Sequence, residues 1–82
     1  MPTIYVSFTN KYGESKKWTI QDVQIDPSAP ATVFDGFLDK DQSTDTIALF
    51  ANAEGAHAKY TRSDGQWNNV EPRDGDNVEM NF

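Results

Sequence analysis

Between residues 39 and 45 the chain places oxygen-bearing side chains at every second position: Asp39, Asp41, Ser43 and Asp45. In a tight loop, side chains spaced this way can converge on one point, and a hard cation such as Ca²⁺ takes roughly six to eight such oxygens. The segment departs from the helix–loop–helix calcium pattern at two places, with Thr44 where that loop carries glycine and Phe50 where it closes on a bidentate Glu. Its neighbours on both sides also read as strands. We take these four residues as the candidate metal ligands, with Ca²⁺ as the cation, and a plain solvated hairpin loop as the competing account.

A second group combines flat rings with amides. Trp67-Asn68-Asn69, close to Asp64, offers an indole to stack against the C–H groups of a sugar, with amides and a carboxylate to complete its hydrogen bonds. The competing demand is the core, since a small cysteine-free domain needs large apolar side chains inside. Trp18 follows the inward parity of Ile20 and is assigned there.

Catalysis lacks its parts. The single His57 has no cysteine and no second histidine to work with, so a zinc site or a hydrolytic triad cannot be assembled around it. Carboxylate pairs such as Asp35 with Asp39, or Glu71 with Asp74, occur on any acidic surface and need a cleft to drive their pKa values apart. We expect no enzyme, and we read His57 as a solvent-facing strand residue.

Thirteen acidic against seven basic side chains leave a net charge of −6. This balance disfavours phosphate backbones, where Lys and Arg must replace counterions, and disfavours anionic membrane surfaces. It suits solubility, divalent cations or a basic partner. An alternative function follows from it, a small acidic inhibitor or toxin-like effector that presents Asp39, Asp41, Asp45, Glu71, Asp74, Asp76 and Glu79 to a basic enzyme surface.

Eighty-two residues make one domain spanning 1–82, with a core of limited volume, so a surface site is expected rather than a deep cleft. Without cysteine the domain must hold by packing alone, and neither compartment is excluded. Residues 1–30 lack a basic stretch followed by an apolar one, and no run approaches 18 apolar residues, so neither a signal peptide nor a transmembrane span is expected. The compartment stays open.

The elements that must position these groups are strands. Residues 3–9 alternate with period 2, Ile4, Val6 and Phe8 on one side. Residues 16–26 change phase near Gln21–Asp22, which requires a bulge or bend. Pro27 and Pro30 break the pattern before a third strand at 31–38, where Gly36 marks a bulge or a close approach. The run 46–52 is the best candidate for a strand covered on both faces. Residues 56–62 and 66–70 flank Asp64-Gly65, a type I′ hairpin signal. Residues 77–82 close the series with Val78, Met80 and Phe82 inward. Helical spacing is absent, and turn signals recur every 8–12 residues. The fold expected is an all-β, small antiparallel β-sandwich of about seven short strands, with a small barrel or Greek-key variant behind it. The function expected is a binding module for a carbohydrate or protein partner, with no nucleic acid, no membrane and an open oligomeric state.

Overall fold

A computed structural model of the chain describes residues 3–24, 28–51 and 55–81. They form seven strands: β1 (Thr3–Asn10), β2 (Lys16–Asp22), β3 (Ala31–Leu38), β4 (Ile47–Phe50), β5 (Ala58–Arg62), β6 (Asn68–Val70) and β7 (Asn77–Met80). There is no helix among the described residues. The strands make two sheets, one ordered β4-β1-β7 and the other β3-β2-β5-β6. The apolar faces of the two sheets meet in one core, as the period-2 patterning predicts. Val6, Phe8, Leu49 and Met80 enter it from the three-stranded sheet, and Trp18, Ile20 and Tyr60 from the four-stranded sheet. The Trp18 and Tyr60 rings lie 5.8 Å apart at a tilt of 54°, a favourable aromatic geometry.

Four expectations need correction. β1 and β7 pair in parallel rather than antiparallel, Ser7 opposite Asn77 through Asn10 opposite Met80. Short hairpins impose antiparallel neighbours, but these two strands share no short connection and are free to run the same way. The run at 46–52 is not covered on both faces. β4 is an edge strand in which Ile47 and Leu49 are buried and Ala48 is exposed, and the apolar character of alanine hides that alternation in the sequence.

The register shift falls between Ile20 and Gln21, beside the expected Gln21–Asp22, but its extra residue lies on β3, and Gly36 is not part of it. Ile20 pairs with Phe34 and Gln21 with Thr32, which leaves Val33 as the extra residue. Val33 and Phe34, though adjacent, therefore both pack against the core. Gly36 sits in regular register opposite Trp18, and a Cβ there would meet Phe34 at an ordinary 3.6 Å. Asp64-Gly65 also does not form a type I′ turn, because Gly65 is not among the residues with positive φ. The Gly65 N–H instead donates to the Arg62 carbonyl at 3.1 Å, in a longer connection between β5 and β6. Residue 82, expected to face inward, lies outside the described residues.

Two buried polar side chains tie the sheets together at opposite ends of the sandwich. Asn10, 0% exposed, ends β1. Its Nδ2 donates to the carbonyls of Glu14 (2.8 Å), Leu38 (2.9 Å) and Asp39 (3.2 Å), and its Oδ1 accepts from the Tyr12 N–H (2.9 Å). Asp22, 1% exposed, ends β2. Its two oxygens accept from the N–H groups of Gln24 and Phe50, each at 2.9 Å, so the four-stranded sheet reaches back to β4. Removing such a group strands several buried partners at once. Asn10→Ala is expected to cost about 3 kcal/mol and to lower Tm by roughly 12–20 °C in thermal unfolding followed by circular dichroism. Lys11→Ala, exposed and adjacent, is expected to leave Tm within about 2 °C.

Candidate functional site

The acidic segment turns back on itself at its start, where the Gln42 N–H donates to the Asp39 carbonyl (2.9 Å) and Gln42 Oε1 accepts from the Asp39 N–H (2.7 Å), and then joins β1. The Asp41 N–H donates to the Asn10 carbonyl (2.8 Å), the Asn10 N–H to the Gln42 carbonyl (3.0 Å) and the Thr44 N–H to the Phe8 carbonyl (2.8 Å). Thr44 Oγ1 accepts from the Phe8 N–H at 3.1 Å, and Ser43 lies opposite Thr9 with their hydroxyls 2.6 Å apart. The segment thus runs on along β1 past the end of β4. The turn thus spans only Asp39–Gln42, and from Gln42 to Thr44 the backbone pairs with β1, where alternate residues of an extended chain sit about 6.5–7 Å apart. The four side chains accordingly go to separate places. Asp41, in the left-handed region with φ 63°, sets its carboxylate 3.2 Å from Lys11 Nζ. Asp39 and Asp45 are exposed, and Asp45 stands at the mouth of a small cleft between β3 and β4. Among the described residues no three His, Asp or Glu side chains form a group that could hold a metal ion.

The sugar-type residues divide in the same way. Asn69 of β6 faces out from the four-stranded sheet beside Lys59, and Trp67, just before that strand, is 43% exposed with Lys59 Nζ 4.5 Å from its ring centroid. Asn68 has the opposite parity, paired with the buried Tyr60, and is half-buried with its Nδ2 on the Gln66 carbonyl. Asp64 belongs to a cluster at the far end of β5. Its Oδ2 lies 3.2 Å from Lys16 Nζ and its Oδ1 3.2 Å from Arg62 Nε. The Arg62 guanidinium stacks 3.8 Å from the Tyr12 ring, and Lys16 also meets Glu14 at 3.3 Å. The Lys16 hydrogen bond holds the Asp64 carboxyl below its ordinary value, while Asp64 and then Glu14 raise Lys16. That cluster is a structural brace.

Trp67 and Asn69 are part of a larger surface that sequence reasoning missed. On the outer face of this sheet Phe37 stands beside Lys17, Thr19 between Asp35 and Thr61, and Gln21 between Thr32 and Lys59. Thr19 donates to Asp35 (3.3 Å) and Gln21 to Thr32 (3.3 Å), which fixes the polar side chains in rows. Phe37 is 72% exposed. The signal was present in part, since Thr19, Gln21 and Phe37 all have the parity opposite to the buried residues of their strands. Which strands lie side by side was not.

The face ends in an open groove of ≈ 630 Å³ lined by Val23, Gln24, His57, Asn69, Val70 and Glu71. This is within the range of ligand pockets, larger than chain length suggested, although it is a surface concavity. His57 is half-buried rather than solvent-facing. Its Nδ1 meets Gln24 Oε1, and its Nε2 lies 3.1 Å from Glu71 Oε1.

No protein-family model, no curated protein and no solved structure matches this chain. The geometry alone bears on function.

The brace at Asp64 has a pH signature. A carboxyl held below its ordinary value of 3.8 contributes stability above that value and loses it as pH falls through its lowered folded value. Asp64→Asn should therefore unfold at a modestly lower temperature than the parent chain near pH 7, and the gap should close as the medium is made acid enough to protonate the Asp64 carboxyl in the folded chain. Melting curves of both proteins across that range check it. A gap that persists in acid would mean that Asp64 acts there through something other than its charge.

Proposed function

We propose that this chain is a non-enzymatic binding module that takes a carbohydrate on the outer face of its four-stranded sheet. The observation that carries the reading is the placement of two exposed rings, Phe37 on one edge strand and Trp67 beside the other, across rows of hydroxyl and amide side chains. Three strand spacings of about 4.8 Å separate those edges, roughly 14 Å, a span for an oligosaccharide rather than a single ring. Thr19, Gln21, Thr61 and Asn69 between them supply donors and acceptors suited to hydroxyl groups. Lys59 over the Trp67 ring steadies the indole by cation–π attraction.

Charge supports the same choice. Lys17 and Lys59 balance Asp35 and Glu71 on this face, although the whole chain carries −6. A neutral polyol meets no net field here.

The acidic excess favours a second reading for the other sheet, that of an inhibitor docking on a basic surface. Asp74 and Asp76 flank one end of β1, with Asp74 accepting from the Tyr5 N–H and the Asp76 carbonyl from the Ser7 N–H, while Asp39 and Asp41 lie at its other end. Location separates the two readings. Affinity electrophoresis through a panel of neutral polysaccharides should show retardation of the parent chain. Trp67→Ala with Phe37→Ala should lose it by at least about tenfold in affinity, with Tm within a few degrees because both rings are exposed. Asp39→Lys with Asp45→Lys should leave it unchanged. Retardation lost in the charge variant and kept in the aromatic one would move the function to the acidic side.

A further inference from the structure

The groove at the end of this face holds an imidazole whose two nitrogens both meet side-chain oxygens, Nδ1 that of Gln24 and Nε2 that of Glu71. A neutral imidazole carries one N–H and one lone pair, so it can donate to only one of them. With the Gln24 oxygen toward the ring, both contacts can be hydrogen bonds only when the ring carries two N–H groups, as the imidazolium does. When the ring loses its proton, one rearrangement keeps both bonds. The Gln24 amide turns end for end, its Nε2 donates to Nδ1, and the ring Nε2–H stays on Glu71. The backbone need not move, because the Gln24 N–H is held by Asp22 Oδ1 at 2.9 Å and the Val23 N–H by the His57 carbonyl at 3.1 Å. Titration of His57 is thus coupled to the end of the Gln24 amide left for a ligand, a donor when the ring is charged and an acceptor when it is neutral.

We propose that this groove is a proton-gated subsite for a neutral group that carries a carbonyl acceptor beside apolar atoms, the chemistry of the acetamido group of an amino sugar, and that acid favours its occupation. The inference rests on the carbohydrate reading above. With His57 charged, the Gln24 NH₂ is the end not spent on the ring and can donate to the carbonyl. Val23 and Val70 supply apolar wall for the methyl group. The Glu71 carboxylate has one oxygen on His57 and is largely exposed, so it accepts from a ligand N–H and repels anions. The charged groups around the ring are few among the described residues. Just after β6 Glu71 faces it; on β5 Lys59 is directed over Trp67; on β2 Asp22 turns inward to the Gln24 and Phe50 N–H groups. The pH response therefore belongs to His57.

The test uses the intact ¹⁵N-labelled chain in two-dimensional NMR at about pH 5 and about pH 8, which bracket histidine titration. Without ligand, the Gln24 side-chain NH₂ signals should titrate together with the His57 ring, and a Gln24 amide that ignores His57 overturns the switch. N-acetylglucosamine should shift the backbone signals of Val23, Gln24, Val70 and Glu71, with affinity about fivefold tighter at the lower pH, the worth of one neutral hydrogen bond. Glucose should show no such preference. His57→Gln, checked for fold by circular dichroism, should abolish the pH dependence. Equal affinity at both pH values, or the same dependence in His57→Gln, overturns the proposal. Sugar binding that depends on Trp67 and Phe37 yet leaves the groove signals unmoved overturns the subsite alone, whereas absence of all sugar binding removes the carbohydrate reading with it.

Discussion

The Asn10 amide sits where the end of β1, the turn after it, the end of β3 and the acidic segment meet, and it bonds backbone groups of the last three. A buried carbonyl left without a donor costs about 1–3 kcal/mol, so three converging carbonyls and one N–H need a side chain with two donor hydrogens and an acceptor. Asparagine has that inventory in the fewest atoms. An apolar residue would satisfy none of these groups, and aspartate would offer acceptors where donors are needed. The position of the acidic segment follows, because its backbone is already committed to Asn10 and Phe8 before its side chains choose their contacts. Asp22 does the converse at the far end, where the N–H groups of Gln24 and Phe50 call for acceptors. Apolar packing brings the sheets together, and these two polar groups decide how they are aligned.

The strands were legible because their buried residues recur with period 2, and Ile4-x-Val6-x-Phe8 and Ala56-x-Ala58-x-Tyr60 place the same residues inward in the structure. The errors fall where one residue type can serve two roles. Ala48 reads as apolar but stands in solvent on an edge strand. Gly36 reads as a bulge but sits in register, while the bulge takes Val33, which carries no conformational mark at all. Asp64-Gly65 and Asp74-Gly75 look alike on paper, yet only Gly75 adopts positive φ, at 85°. The two glycines also bond differently, because the Gly75 N–H donates to the Tyr5 carbonyl of β1 whereas the Gly65 N–H donates back to the Arg62 carbonyl.

The site was legible only one strand at a time. Trp67 and Asn69 share a parity, so their common face was open to inference, and the same rule separates Asn68 from them. Phe37, Thr19, Gln21 and His57 are far apart in the chain and join the site only through the order β3-β2-β5-β6, a property of pairing between segments that periodicity does not encode. The oxygen-bearing residues at 39–45 show the opposite failure. Their spacing describes a ligand set only if the backbone curls through all of them, whereas the turn ends at Gln42 and hydrogen bonding to β1 carries Ser43 and Thr44 along the sheet.

The parallel pairing of the first strand with the last also governs how the protein must be made. Ser7 and Asn77 touch across 70 positions of sequence, so one edge of β1 stays open through translation of nearly everything between them. Hairpins such as β2 with β3 can close locally within microseconds, whereas the three-stranded sheet waits for its final member and bears the closure entropy of the longest loop in the chain. High contact order of this kind slows folding and leaves an unsatisfied edge available to neighbouring nascent chains. Asp39, Asp41 and Asp45 precede β7 in synthesis, so nascent copies carry like charge beside β1 during that interval, and mutual repulsion opposes the zipping of such edges before the native partner arrives.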